Sequence, residues 1–200
     1  MNSPATAVSR PMKRDDFPAL EELYYDFHEH HASGVPTHLC HLGERDAWDR
    51  TPLRAALEKI LADDSARIFV AEVGECLAGL IEVYVRQDAP SPAVHSQRYL
   101  ELQSLMVAVP FRRQRLAWWL VQHAAAWARE KGATEIRLSI WEFNEIALRL
   151  YEQVGFSTLQ RRMIIQLYEA GPVGSIEAAR WQRALGQADR NSTQTEEGAP

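Results

Sequence analysis

The run Leu105 to Val121, LMVAVPFRRQRLAWWLV, sets an apolar strand, an arginine-crowded turn and an apolar helix end to end, with no linker between them. A strand that passes directly into a helix leaves the helix N-terminus open, with its free N–H groups and the positive end of its dipole. Here that end is flanked by Arg112, Arg113 and Arg115. Three cations beside a positive dipole are badly placed unless an anion joins them, so the turn reads as a site for a phosphorylated ligand. The alternative is a solvated basic corner that binds nothing.

The rest of the chain must supply an α/β domain around this element. With 200 residues, 46% hydrophobic and 24% charged, one core can be buried without staples. We expect a flexible tail over 1–7, one domain over 8–168, and an extension over 169–200 whose stretch 172–185 (Ile176, Ala179, Trp181, Leu185) can form a short helix. A net charge of -5 argues against non-specific nucleic-acid binding. No apolar run approaches the roughly 18 residues of a membrane span. Two cysteines, Cys40 and Cys76, make no disulfide framework, and MNSPATAVSR has no signal-peptide core, so a cytoplasmic location is expected.

Periodicity places the elements. A strand is expected near Val8 to Pro11, then a helix opened by Asp15 or Asp16 with Leu20, Leu23, Tyr24 and Phe27 on one face. A second helix takes Thr51 as N-cap and Pro52 at its first position, with a core stripe of Leu53, Ala56, Leu57, Ile60 and Leu61. Ile68 to Val73 and Leu77 to Arg86 form a hairpin about Gly74-Glu75. Tyr99 to Val107 is a strand, Phe111 to Lys131 a turn and helix stopped by Gly132, and Glu135 to Trp141 a half-buried strand. Asn144 caps a helix ending at Gly155, and Phe156 to Leu167 supplies one or two more strands. The order β-α-α-β-β-β-α-β-α-β-β implies a mixed, mostly antiparallel sheet flanked by helices.

The last helix carries a second stripe. At about 3.6 residues per turn, Asn144, Ala147 and Tyr151 share one face, and Ile146, Leu150 and Val154 form an apolar one. Read alone, Asn144 is an N-cap and Tyr151 a core-edge aromatic. Taken with the arginine turn, the two segments resemble the acetyl-CoA site of the N-acetyltransferase (GNAT) superfamily over residues 8 to 168. In that superfamily the turn reads Gln/Arg-x-x-Gly-x-Gly/Ala. Arg112 fills its first position and Ala117 its last, and Arg115 stands where the middle glycine belongs. An arginine there either crowds the pyrophosphate or donates to it.

The resemblance implies acetyl transfer from acetyl-CoA to a primary amine by direct attack in a ternary complex. It puts the cofactor against Met106, Val107 and Val109 on the strand, Arg112, Arg113, Gln114, Arg115, Leu116 and Ala117 in the turn, and Asn144, Ala147 and Tyr151 on the helix. Met106 and Val107 supply the oxyanion donor, and Tyr151 protonates the leaving thiolate. The general base is less defined: many members carry an acid near Gln103, which here is a neutral amide. By period-two alternation Glu101 shares the face of Gln103 and is the first candidate, with Glu82 a further option. His28, His30, His31, His38 and His41 cluster with Cys40 in FHEHHASGVPTHLCH, but at no recognised zinc spacing, so no metal is assigned. These histidines, with Glu29, can instead border the acceptor.

The acceptor is a small-molecule or peptide amine, with no nucleic acid or membrane partner expected. A homodimer is possible, through Trp118, Trp119 and Trp181, although core packing of the first two is the simpler account. The competing function is a non-catalytic acyl-CoA-binding or regulatory module, favoured by Arg115 and Gln103.

Overall fold

In the computed structural model, which describes residues 7–93 and 95–164, the first expected strand is β1 (Ala7–Pro11). A 3-10 turn over Arg14–Asp16 leads into α1 (Phe17–Gly34), whose Leu20 and Leu23 are buried as the stripe requires. Asp16 fixes the approach: its carboxylate accepts from the Lys13 N–H and from Arg10, both at 2.7 Å. The next helix, α2 (Thr51–Ala62), begins one residue earlier than expected, because Asp49 rather than Thr51 supplies the acceptor, taking the Thr51 N–H at 2.9 Å. Its stripe is also narrower. Leu57 and Ile60 are buried and Leu53 half-buried, but Ala56 and Leu61 are exposed. Only one i, i+3 ridge of this short helix reaches the sheet.

The hairpin forms as β2 (Ala66–Val73) and β3 (Cys76–Gln87), with Gly74 at φ +62° in its two-residue turn. It is followed by β4 (Arg98–Val107), α3 (Leu116–Glu130), β5 (Glu135–Leu138) and α4 (Glu145–Val154). The strands lie in sequence order, β1-β2-β3-β4-β5, antiparallel except for the parallel pair β4 and β5 that α3 connects. One face packs on α1 and α2 through Leu20, Leu57, Ile68, Leu80 and Met106. The other packs on α3 through Ile81, Val83, Leu100, Leu102, Leu116 and Leu120. Each of these fully buried aliphatic side chains contributes roughly 1.5–3 kcal/mol.

One irregularity shapes the sheet. Val83 pairs with Leu102 but Glu82 pairs with Ser104, so Gln103 is an extra residue in β4. Strict alternation would put Gln103 on the face of Glu101; the bulge removes it from the ladder, and Ser104 continues that face opposite Glu82. A bulged strand bends. The parallel pairing accordingly stops at Leu102 with Leu138, and β5 ends three residues short of Trp141.

Two units divide the chain, Met1–Ser157 and Thr158–Pro200. Among the described residues of the span expected to hold the last strands, 156–164, there is no strand. Phe156, Leu159, Met163 and Ile164 are spaced by three, four and one, so no single strand face would collect them. Residues 165–167 and the helix expected over 172–185 with Trp181 lie outside the described residues.

The seam between β3 and β4 is set by a close approach. A Cβ on Gly79 would fall 2.5 Å from the Met106 carbonyl oxygen. Gly79→Ala is therefore expected to separate the strands and lower stability by about 1–3 kcal/mol, read as a shift in urea midpoint with the slope unchanged.

Candidate active site

The end of β4 is closed by the Ala108 N–H, which donates to Ala78 at 2.9 Å. A tight 3-10 turn over Val109–Phe111, with Pro110 in its first turn, then brings the chain to the arginines. Two of them hold left-handed backbone on either side of Gln114: Arg113 at φ +63° and Arg115 at φ +62°, ψ +12°. Here lies the reason a glycine is usual at the position of Arg115. The turn requires a dihedral that costs an ordinary L-residue about 1–2 kcal/mol, and Arg115 adopts it. Left-handed residues interspersed in this way turn successive N–H groups to one side, the backbone form that holds anions.

Arg115 is also the residue that precedes α3. It provides no side-chain cap, and the first turn of α3 has no acidic residue to offset the dipole. Leu116, expected against the cofactor, is buried in the core beneath α3 and offers the turn only its backbone. Ala117 is half-buried, while Arg112, Arg113, Gln114 and Arg115 are exposed. The Arg112 Nε donates to the Val107 carbonyl at 3.1 Å and Gln114 donates to Pro110 at 3.4 Å, which ties the turn to the strand it leaves.

Beside the turn, β4 and β5 part. Beyond Leu102, residues Gln103 to Val107 have no strand partner on the β5 side among the described residues. Met106 sends its side chain into the α1/α2 core and Val107 toward the α3 core, so both present backbone at this open edge. Val109 is exposed.

Across the gap lies α4. The Asn144 Oδ1 accepts the Ala147 N–H at 3.2 Å, the capping role of a helix-start asparagine. Its C-terminus closes at Gly155, φ +109°, with the Phe156 N–H donating to Tyr151 at 2.9 Å. The expected apolar face is rotated: Ile146 is 79% exposed, whereas Tyr151 and Val154 pack against the α3 core. β5 ends at Leu138, and among the described residues no core cluster takes up Ile146 on the first turn of α4. The Tyr151 ring stands 5.4 Å from Phe156, and among the described residues its hydroxyl has no hydrogen-bond partner. Burial pushes that phenol up to about 12.

Glu101, half-buried on β4, is held by Arg86 at 3.0 Å. Glu82 is buried on the same sheet face and accepts from Tyr24 and Tyr84, each at 2.6 Å. This three-residue cluster is what sequence reasoning missed, having named Glu82 alone. The available signal was a charged residue inside the apolar run LAGLIEVYV.

The histidines are dispersed. His28 meets the Cys40 carbonyl at 2.7 Å, His31 the Phe27 carbonyl at 2.7 Å, and His41 the Glu29 carboxylate at 2.5 Å. His30 and His31 pack on Phe143, which leads into α4. Burial, then the neighbouring His31 and Arg112, lowers the pKa of His30. Among the described residues no group of three His, Cys, Asp or Glu is placed to hold a metal, and no helix is long and apolar enough to cross a membrane. Trp119 packs against the α3 core with its ring 4.6 Å from His123, and Trp118 is half-buried.

A parted strand pair, an arginine turn in left-handed conformation and an uncapped helix lie at one edge of the sheet, and the chain belongs to the acetyltransferase (GNAT) family, whose model matches residues 17–156. A thialysine N-epsilon-acetyltransferase of Caenorhabditis elegans is 28% identical over 105 residues, 52% of this chain. The chain spans 62% of the length of that relative. Among solved structures, a mutant of the BH1408 protein from Bacillus halodurans superposes with a TM-score of 0.72 at 14% identity, covering 80% of this chain and 99% of that one. The aminoglycoside acetyltransferase AAC(6')-Iy, in complex with a CoA bisubstrate analogue, superposes with a TM-score of 0.62 at 19% identity over 82% and 99% of the two chains. These likenesses establish the fold.

The dihedral at Arg115 gives a direct test of the turn. Arg115→Gly is expected to be at least as stable as the wild type, by up to about 1 kcal/mol, since relief of strain outweighs the added freedom of the unfolded chain. Arg115→Val is expected to lose about 1–2 kcal/mol, because a β-branched residue tolerates this backbone least. Urea unfolding of the three proteins checks both.

Proposed function

We propose that this protein transfers the acetyl group of acetyl-CoA to a primary amine by direct attack within a ternary complex. The observation that carries the reading is the parting of β4 from β5 beside the left-handed arginine turn. An open strand edge and an uncapped helix N-terminus fit an extended ligand that ends in phosphates.

In this reading the N–H groups of the turn, from Arg113 to Ala117, hold the pyrophosphate, with Arg112, Arg113 and Arg115 adding charge. Met106, Val107 and Val109 border the pantetheine arm, with the amide of Met106 or Val107 turned to the thioester oxygen, where a fixed donor is most effective. Asn144 and Ala147 border the arm from α4. The nitrogen of the acceptor attacks the thioester carbon, the C–N bond forms and the C–S bond breaks. Tyr151 gives its proton to the departing sulfur. A phenol that stays protonated up to about 12 is fully available for this across the physiological range.

The relatives support a small amine as the acceptor class. The Caenorhabditis elegans relative is named for thialysine and the AAC(6')-Iy complex contains an acetylneamine-type analogue, both small amines. A small-molecule amine is therefore the first class to screen.

Calorimetric titration of acetyl-CoA into the purified protein tests the reading. Binding in the micromolar range is expected, weakened at least about tenfold when Arg112 and Arg113 are both changed to Glu. Tyr151→Phe should leave that affinity within about twofold and lower kcat by roughly 100-fold or more. Because the Tyr151 pKa is raised, activity should show no loss from its ionisation below about pH 11. Absence of binding at millimolar acetyl-CoA overturns the proposal.

A further inference from the structure

The far end of the open stretch of β4 is defined by how its last residues pair. Gly79 and Val107 are register partners, and the Ala108 N–H donates to the Ala78 carbonyl at 2.9 Å. Bonded and non-bonded pairs alternate along an antiparallel ladder, so Ala78 with Ala108 is a bonded pair and Gly79 with Val107 is not. The N–H and the C=O of Val107 therefore both face away from β3, toward the side that β5 has left. At this residue the edge can give one donor and one acceptor to an extended ligand.

The acceptor is already engaged. The Arg112 Nε donates to the Val107 carbonyl at 3.1 Å, reaching back from beyond the 3-10 turn. Among the described residues this is the one hydrogen bond of the guanidinium, and it meets no carboxylate, whereas Arg10, Arg45, Arg86 and Arg137 are each paired with one. The ring of His30 adds no counter-charge, since Arg112 itself helps to lower the pKa of that histidine. Nor does the helix that follows: the first turn of α3 has no acidic residue. A planar fork of donors held through one N–H to a neutral carbonyl is poorly satisfied, and an anion that offers two oxygens is the better partner.

We propose that Arg112 is a latch with two stations, the Val107 carbonyl and the pyrophosphate of acyl-CoA, and that its move from the first to the second frees the carbonyl for an amide of the pantetheine arm. This rests on the acetyl-transfer reading and deepens it: the phosphate end of the ligand unlocks the strand edge for the thioester end. Arg112 is then a specificity residue as well as a source of charge. A thioester without phosphates has to compete with the guanidinium for the carbonyl, whereas a CoA thioester draws it away.

Splitting the ligand in two tests this. NMR titrations of the full chain give dissociation constants for acetyl-CoA, for S-acetylpantetheine, which has no phosphate, and for ADP, which has the pyrophosphate and no arm. In the wild type, saturating ADP is expected to tighten S-acetylpantetheine binding about threefold, and S-acetylpantetheine to tighten ADP binding by the same factor. In Arg112→Met that coupling should vanish. The variant should also bind S-acetylpantetheine about threefold more tightly than the wild type does, while acetyl-CoA and ADP weaken about three- to tenfold. A residue that only attracts phosphate cannot give these opposite signs. Should Arg112→Met fail to fold, Arg112→Ala replaces it, and the wild-type coupling needs no variant. A wild type that binds acetyl-CoA but shows no coupling overturns the latch alone, as does a folded variant in which S-acetylpantetheine binding is weakened, unchanged or lost. A wild type that does not bind acetyl-CoA overturns the acetyl-transfer reading and the latch with it.

Discussion

The bulge at Gln103 is the constraint on which the site depends. By adding one residue to β4 it bends that strand where the parallel pairing ends, at Leu102 and Leu138, and among the described residues the five that follow have no strand partner on that side. It also changes which side chains face which core. Leu100 and Leu102 point into the layer beneath α3, and after the bulge Met106 points into the layer beneath α1 and α2. A regular ladder would have closed the gap and placed Gln103, rather than Ser104, opposite Glu82.

Around that opening the two cores have separate duties. The α3 layer holds the helix whose N-terminus completes the arginine turn, with Leu116 and Leu120 fixing its start in the sheet. The α1/α2 layer carries the Tyr24, Glu82 and Tyr84 cluster on the opposite face. A gap between strands is the one place from which a ligand reaches groups on both faces of a sheet. Tyr151 packs with the first layer, and Glu82, in register with Ser104, lies on the face of the second.

Much of this was legible in the sequence, for identifiable reasons. The hairpin about Gly74-Glu75, the stop at Gly132 and the cap at Asn144 are local features, written in a few adjacent residues. The turn was legible because strand, arginines and helix are contiguous. Features that depend on pairing were not. The bulge cannot be read from β4 alone, since ELQSLMV alternates acceptably in either register. The rotation of α4 that exposes Ile146 and packs Tyr151 and Val154 on the α3 core is a tertiary event. The partners of Glu82 come from residues 24 and 84, and nothing in the chain near residue 82 announces Tyr24.

An edge that can receive a ligand can also receive another strand, and unpaired strand edges are where folded chains stick to one another. The open run of β4 is guarded in this respect. It is kept to five residues, Gln103 to Val107, and it is twisted out of plane by its own bulge. The Arg112 guanidinium occupies the Val107 carbonyl at its far end, and Pro110, which has no N–H to offer, follows two residues after Ala108. The geometry that admits a slender ligand thus denies a neighbouring chain the length of flat edge it would need to begin a shared sheet.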